Sequence, residues 1–107
     1  MRRFKFKIRR KYNNTFVEID GFKLDSKREG NRYIELKVLN AKGKISNLKI
    51  HPVFKFPMGF SYEGDFQYIE NGKTIVEDVK GFETDVFKLK KKCFAYFYQS
   101  IELRIVK

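Results

Sequence analysis

The 107-residue chain is long enough for one domain and short for two of ordinary size. It carries 24 Lys and Arg against 13 Asp and Glu, a net charge of +11, and 42% of its residues are apolar. That apolar share, with 12 Phe and 6 Tyr, excludes intrinsic disorder, and no apolar run reaches the roughly 18–20 residues that a membrane-spanning helix requires. A lone cysteine, Cys93, leaves no internal disulfide and no zinc knuckle. The basic stretch Met1 to Tyr12 lacks the apolar core of a secretory signal, so a cytosolic compartment is the default expectation. So large a charge on so small a domain points to a polyanion partner, nucleic acid ahead of an anionic membrane surface.

Along the chain, Phe4, Phe6 and Ile8 alternate with Lys5, Lys7 and Arg9, the period of a half-buried strand. So basic a segment can equally serve as a flexible arm, and residues 1–15 are read as either. Asn13-Asn14 breaks the pattern. Val17 and Ile19 then enter, and Phe22 and Leu24 leave, the Asp20-Gly21 turn of a hairpin. Ser26 to Glu29 reads as a capping box, opening a helix through Tyr33, Leu36 and Leu39 that stops near Gly43. Glu29 shares the inward stripe of that helix, four residues before Tyr33.

From Ile45 the pattern becomes strand-like. A run through Leu48, Ile50, Val53, Phe54 and Phe56 contains Pro52 as a bulge or edge point. Pro57-Met58-Gly59 turns the chain, Phe60 to Ile69 reads as a second strand, Asn71-Gly72 is a hairpin turn, and Thr74 to Lys80 is a third strand. Thr84 or Asp85 caps a second helix with the stripe Val86, Leu89, Cys93 and Phe97. Ile101, Leu103 and Ile105 alternate as a closing strand. The expected architecture is one α/β domain over 1–107: a small N-terminal hairpin or basic arm, then α, three β, α, β.

The chemistry concentrates on Glu77-Asp78-Val79-Lys80-Gly81. Strand side chains alternate, so Asp78 and Lys80 share one face with Val76, and Glu77 shares the other with Ile75 and Val79. Apolar residues on both faces mark a strand inside a covered sheet, where a carboxylate and an amine are expensive unless paired or bound to a metal. Pairing about Asn71-Gly72 sets Asp65 opposite Asp78, and Gly64 before it permits a close approach. Two carboxylates with a lysine nearby suit a hard cation such as Mg²⁺. The alternative for each is ordinary: Asp78 and Lys80 as a surface pair, Asp65 as a turn-side acid, Glu29 as a capping residue.

The order Glu29, Asp65, Asp78-x-Lys80 resembles the PD-(D/E)XK nuclease superfamily, whose core is a restriction-endonuclease-like αβββαβ fold with a mixed sheet. More closely, Val17 to Gly21, Asp25 to Glu29, Gly64 to Tyr68 and Val76 to Gly81 resemble a family of small phage and prophage proteins. That family is grouped with Holliday-junction-resolvase-like endonucleases. Phe87 to Lys90 and Ile101 to Arg104 extend the similarity from about residue 16 to the end. The resemblance implies that Asp65 and Asp78 are metal-binding acids, that Lys80 is the catalytic lysine, and that Glu29 completes the site. It also implies Mg²⁺ or Mn²⁺ as cofactor and the cytoplasm of a bacterial host as the setting. Three positions depart from the pattern: Gly30 stands where Ala is usual, Gly64 where the superfamily proline stands, and His51 where Gln is expected. His51 is therefore an auxiliary site member or simply a strand residue.

On the second helix Lys88, Lys91 and Lys92, flanked by Lys90, are spaced to share a face opposite the apolar stripe. With Arg2, Arg3, Arg9, Arg10 and Lys11 they are candidate phosphate contacts; the alternative is a solvated face. Tyr96, Phe97 and Tyr98 read as core ahead of base-stacking platforms. The leading expectation is a Mg²⁺-dependent DNA endonuclease acting on junctions or flaps, with a homodimer as the natural assembly for paired cuts. A catalytically inactive, basic nucleic-acid-binding module of the same fold is the alternative. A membrane-surface role lacks support, because no strongly amphipathic basic helix is present.

Overall fold

The computed structural model describes residues 6–11 and 14–107, with side chains from Phe16 onward. Strands β1 (Phe6–Lys11), β2 (Asn14–Ile19) and β3 (Phe22–Leu24) form an antiparallel sheet in chain order. The basic segment is thus a strand from Phe6 to Lys11, paired to β2 from Phe6 opposite Ile19 to Lys11 opposite Asn14. Arg2, Arg3, Phe4 and Asn13 lie outside the described residues. The β2–β3 turn has φ of 53° at Asp20 and 84° at Gly21, the doubly positive geometry for which Asp-Gly is suited.

Helix α1 (Lys27–Ala41) begins where the hydroxyl of Ser26 accepts the Glu29 N–H at 3.1 Å. It buries Glu29, Gly30, Tyr33 and Leu36, and Gly43 follows its end at φ 78°. A Cβ on Gly30 would lie 3.2 Å from Val17 Cγ1 and 3.4 Å from Ile19 Cδ1, so the glycine lets α1 lie close against β2.

Four strands form the central sheet in the order β4 (Ser46–Ile50), β7 (Phe66–Glu70), β8 (Lys73–Val79), β9 (Glu102–Val106). The β4–β7 and β7–β8 pairs are antiparallel and β8–β9 is parallel, so the fold is α+β with a mixed sheet. Strands β5 (Val53–Lys55) and β6 (Ser61–Glu63) form a separate ribbon. Helix α2 (Asp85–Phe97) precedes β9 and is capped by Thr84, whose hydroxyl accepts the Phe87 N–H. Among the described residues no helix is long and apolar enough to cross a membrane.

The central sheet is covered on both faces. Tyr33 and Leu36 of α1 pack with Val17, Ile19, Leu24, Phe66, Tyr68 and Ile75 on one side. On the other, Phe87 and Phe94 of α2 pack with Phe54, Phe56, Tyr62 and Val76. Strand β8 therefore lies inside, with Ile75, Val76, Glu77 and Asp78 all buried.

Two expectations are corrected. The stretches 45–56 and 60–69 each split into two strands, the first at His51-Pro52, where the proline marked a bulge or edge point, and the second at Gly64-Asp65. Ile50 opposite Phe66 and Val53 opposite Glu63 keep one register across the bend, so residue alternation continues through it. The break itself is made by Pro52, which has no N–H, and by His51, which takes φ 53°.

The apolar stripe of α2 is also different. Phe87 and Phe94 are buried and Cys93 partly so, whereas Val86, Leu89 and Phe97 are exposed. Both sets recur with helical period. The two phenylalanines win because they meet rings: Phe94 lies 5.0 Å from Phe54 and 5.6 Å from Tyr62, centroid to centroid. Of the three terminal aromatics, Tyr96 and Phe97 are exposed rather than core. Tyr98 alone packs inward, stacked on Phe94, and its hydroxyl donates to the Lys55 carbonyl.

Candidate functional site

The bend in the long ribbon builds the site. His51 N–H donates to the Asp65 carbonyl and Gly64 N–H to the Pro52 carbonyl, both at 2.9 Å, which sets His51 beside Asp65. A Cβ on Gly64 would stand 2.7 Å from Val76 Cγ1, so the close approach anticipated at this glycine is that of the core of β8. Asp65 N–H donates to the Glu77 carbonyl, continuing the register in which Phe66 faces Glu77. Asp65 and Asp78 are the next positions outward in that register, as pairing about Asn71-Gly72 implies. The Asp65 carboxylate accepts the Val79 N–H at 2.6 Å through Oδ2.

Glu29 reaches the same place from α1. Its Oε2 accepts the Asp25 N–H at 3.2 Å, which satisfies a free donor ahead of the helix. Its Oε1 lies 2.9 Å from His51 Nε2. One oxygen caps and the other faces the site, so the two readings of Glu29 are compatible. One donor atom each from Glu29, His51 and Asp65 lies within 4.8 Å of the others. His51 is not a strand residue; it sits on the bend, its Nδ1 4.0 Å from Glu63.

Asp78 stands next to this group and outside it. The buried carboxylate accepts the Tyr62 hydroxyl on Oδ2, and Oδ1 is 3.3 Å from Lys80 Nζ. The ammonium also lies 4.4 Å from the centroid of the Phe87 ring, a cation–π contact that fixes its position. Burial above all, and then the Asp78 carboxylate, pushes the Tyr62 hydroxyl up from its ordinary range, so it remains a donor.

The electrostatics mark a place short of cations. The Asp65 carboxyl is pushed up to about 7, chiefly by burial, with the charges of Glu29 and Asp78 adding to it. The Val79 N–H and Lys80 act the other way. Burial likewise raises Glu29, although His51 opposes it. Crowded, desolvated carboxylates of this kind are stabilised by a bound cation.

Two participants escaped the sequence reading. Tyr62 carried only its alternation with Phe60 and Gly64, which marks a face and gives no sign of a hydrogen bond to Asp78. Arg32 lies one turn after Glu29, and its Nε and Nη2 each donate to Glu77 at 2.7 Å.

The basic residues disperse. Lys88 and Lys92 are exposed on α2. Lys91 turns back toward the body, with Nζ 2.6 Å from Glu83 and 5.8 Å from the Phe87 centroid, so the three lysines do not form one solvated face. Arg9, Arg10 and Lys11 lie along β1.

Residues 9–107 match a family described as a protein of unknown function, DUF1064, and the chain belongs to that family. No curated protein matches it.

Proposed function

We propose that this DUF1064 protein is a metal-dependent endodeoxyribonuclease that hydrolyses phosphodiester bonds. The observation that carries the reading is the convergence of Glu29, His51 and Asp65 within 4.8 Å, beside an Asp78–Lys80 pair at 3.3 Å. The donor set fits a divalent cation: two desolvated carboxylates supply hard oxygen ligands, with Asp78 as the adjoining acid. A cation held there supplies neutralising charge at the scissile phosphate and lowers the pKa of a bound water. Lys80, placed between Asp78 and the Phe87 ring, orients that water or meets the charge that builds on the phosphoryl oxygens. Tyr62 keeps the Asp78 carboxylate in place for both tasks.

The net charge of +11 supports a DNA partner, and Arg9, Arg10, Lys11, Lys88 and Lys92 are the candidate phosphate contacts. The resemblance of the acidic motifs to junction-resolving phage enzymes favours branched DNA, cut by a homodimer in the bacterial cytoplasm. A second reading rests on a specific observation. Asp78 has both oxygens engaged by Tyr62 and Lys80, as in a structural ion pair of an inactive DNA-binding module.

Labelled four-way junction, flap and linear duplex DNA incubated with Mg²⁺, Mn²⁺ or EDTA separate the two. The nuclease cuts at least one of them in a metal-dependent way. Salt-sensitive binding with no cutting of any would establish the binding module.

A further inference from the structure

We propose that His51 is a metal ligand, and that the Glu29–His51–Asp65 group selects a first-row transition ion such as Mn²⁺ over Mg²⁺. This deepens the metal-dependent reading above and rests on it. Three chain segments deliver the donors: the first turn of α1, the bend after β4 and the residue before β7. His51 Nε2 and Glu29 Oε1 are 2.9 Å apart. Two adjacent ligands of one ion, each about 2.1 Å from it, stand about 3.0 Å from each other, so this spacing fits a shared cation.

The identity of the donors then decides which ion. Mg²⁺ keeps to oxygen ligands and holds its waters, while an imidazole adds affinity for first-row transition ions. A group with one imidazole and two carboxylates therefore tilts toward Mn²⁺ and its heavier neighbours. The ring is also oriented for the task. Its Nε2 faces Glu29 at 2.9 Å, while Nδ1 points the other way, toward Glu63 at 4.0 Å. A hydrogen bond closing the start of α1 accounts for the 2.9 Å contact alone; the Asp65 carboxylate adds a third donor within 4.8 Å of the other two.

The test measures binding, apart from cleavage. Mn²⁺ and Mg²⁺ are titrated calorimetrically into the metal-free full chain, wild type and His51→Gln. The wild type binds Mn²⁺ more tightly. The variant loses at least about tenfold in Mn²⁺ affinity, the lower end of what even an outer ligand contact is worth, and loses little for Mg²⁺. Pulsed electron paramagnetic resonance of Mn²⁺ on the wild type needs no variant, and shows coupling to a directly bound imidazole nitrogen. Mn²⁺ bound without nitrogen coupling, or unchanged selectivity in His51→Gln, overturns the assignment of His51 and leaves the nuclease reading standing. Failure of the wild type to bind either ion overturns both.

Discussion

Arg32 on α1 clamps Glu77 on β8 through two hydrogen bonds of 2.7 Å, one helical turn beyond Glu29 and one residue before Asp78. Glu77 is fully buried and also accepts the Tyr68 hydroxyl. Its backbone carbonyl takes the Asp65 N–H. This residue thus fastens the helix that carries Glu29 to the strands that carry Asp65 and Asp78.

Breaking that clamp from one side strands a buried charge. Arg32→Met is expected to lower stability by about 3–5 kcal/mol in urea unfolding. Adding Glu77→Met should recover most of the loss, because the orphaned carboxylate is gone. A single-variant loss under about 1 kcal/mol, the range of an exposed pair, would contradict the clamp.

Gly64 admits Val76 where a side chain would collide, with 2.7 Å between its notional Cβ and Val76 Cγ1. Gly64→Ala should therefore destabilise by about 1–3 kcal/mol, the range for overpacking a core. Pairing it with Val76→Ala makes room, and the double variant should be more stable than the sum of the two single changes predicts. Strict additivity would show that the two positions do not compete for space.

The raised Asp65 carboxyl has a pH signature. Its folded value, about 7, lies above the ordinary 3.8. The folded chain therefore holds this proton more tightly than the unfolded one. The stabilisation is complete below the ordinary value and fades as pH rises through about 7. In EDTA, the melting temperature of wild type relative to Asp65→Asn should fall across that interval, and saturating Mn²⁺ should offset the fall. Parallel curves for the two proteins would exclude a raised Asp65.

Salt dependence reports which lysines touch phosphate. Replacing both Lys88 and Lys92 by Ala should reduce the slope of log affinity against log salt by about 1 for each lost contact. Lys91→Ala should change it less, because Glu83 already holds that ammonium at 2.6 Å. An unchanged slope in the Lys88, Lys92 variant would place the DNA elsewhere.

The sequence made the turns and caps legible because each has local chemistry. Asp20-Gly21 and Asn71-Gly72 carry the positive φ angles their turn requires, and Ser26 and Thr84 cap the helices. The Asn71-Gly72 turn in turn fixed Asp65 near Asp78. Pro52 marked an irregular point, but the full bend at His51-Pro52 and Gly64-Asp65 stayed hidden, since the ladder keeps one register through it and the alternation of side chains never slips. That bend is what brings His51 to Asp65. The inward face of α2 was ambiguous for a different reason: two apolar stripes share one helix, and only the rings of Phe54 and Tyr62 on β5 and β6 decide for Phe87 and Phe94. Tyr62 and Arg32 act through long-range contacts with Asp78 and Glu77, which no local spacing announces.

The central claim is that the buried acids serve phosphodiester hydrolysis, and Asp78→Asn tests it most directly. The variant keeps an acceptor for Tyr62 while removing the charge beside Lys80. Cleavage of the preferred DNA substrate in Mn²⁺ and in Mg²⁺ is measured alongside binding in EDTA. The expected result is cleavage reduced by at least about a hundredfold, the scale of losing one preorganised electrostatic contact, with DNA affinity retained or increased. Cleavage at the wild-type rate in Asp78→Asn would contradict the account.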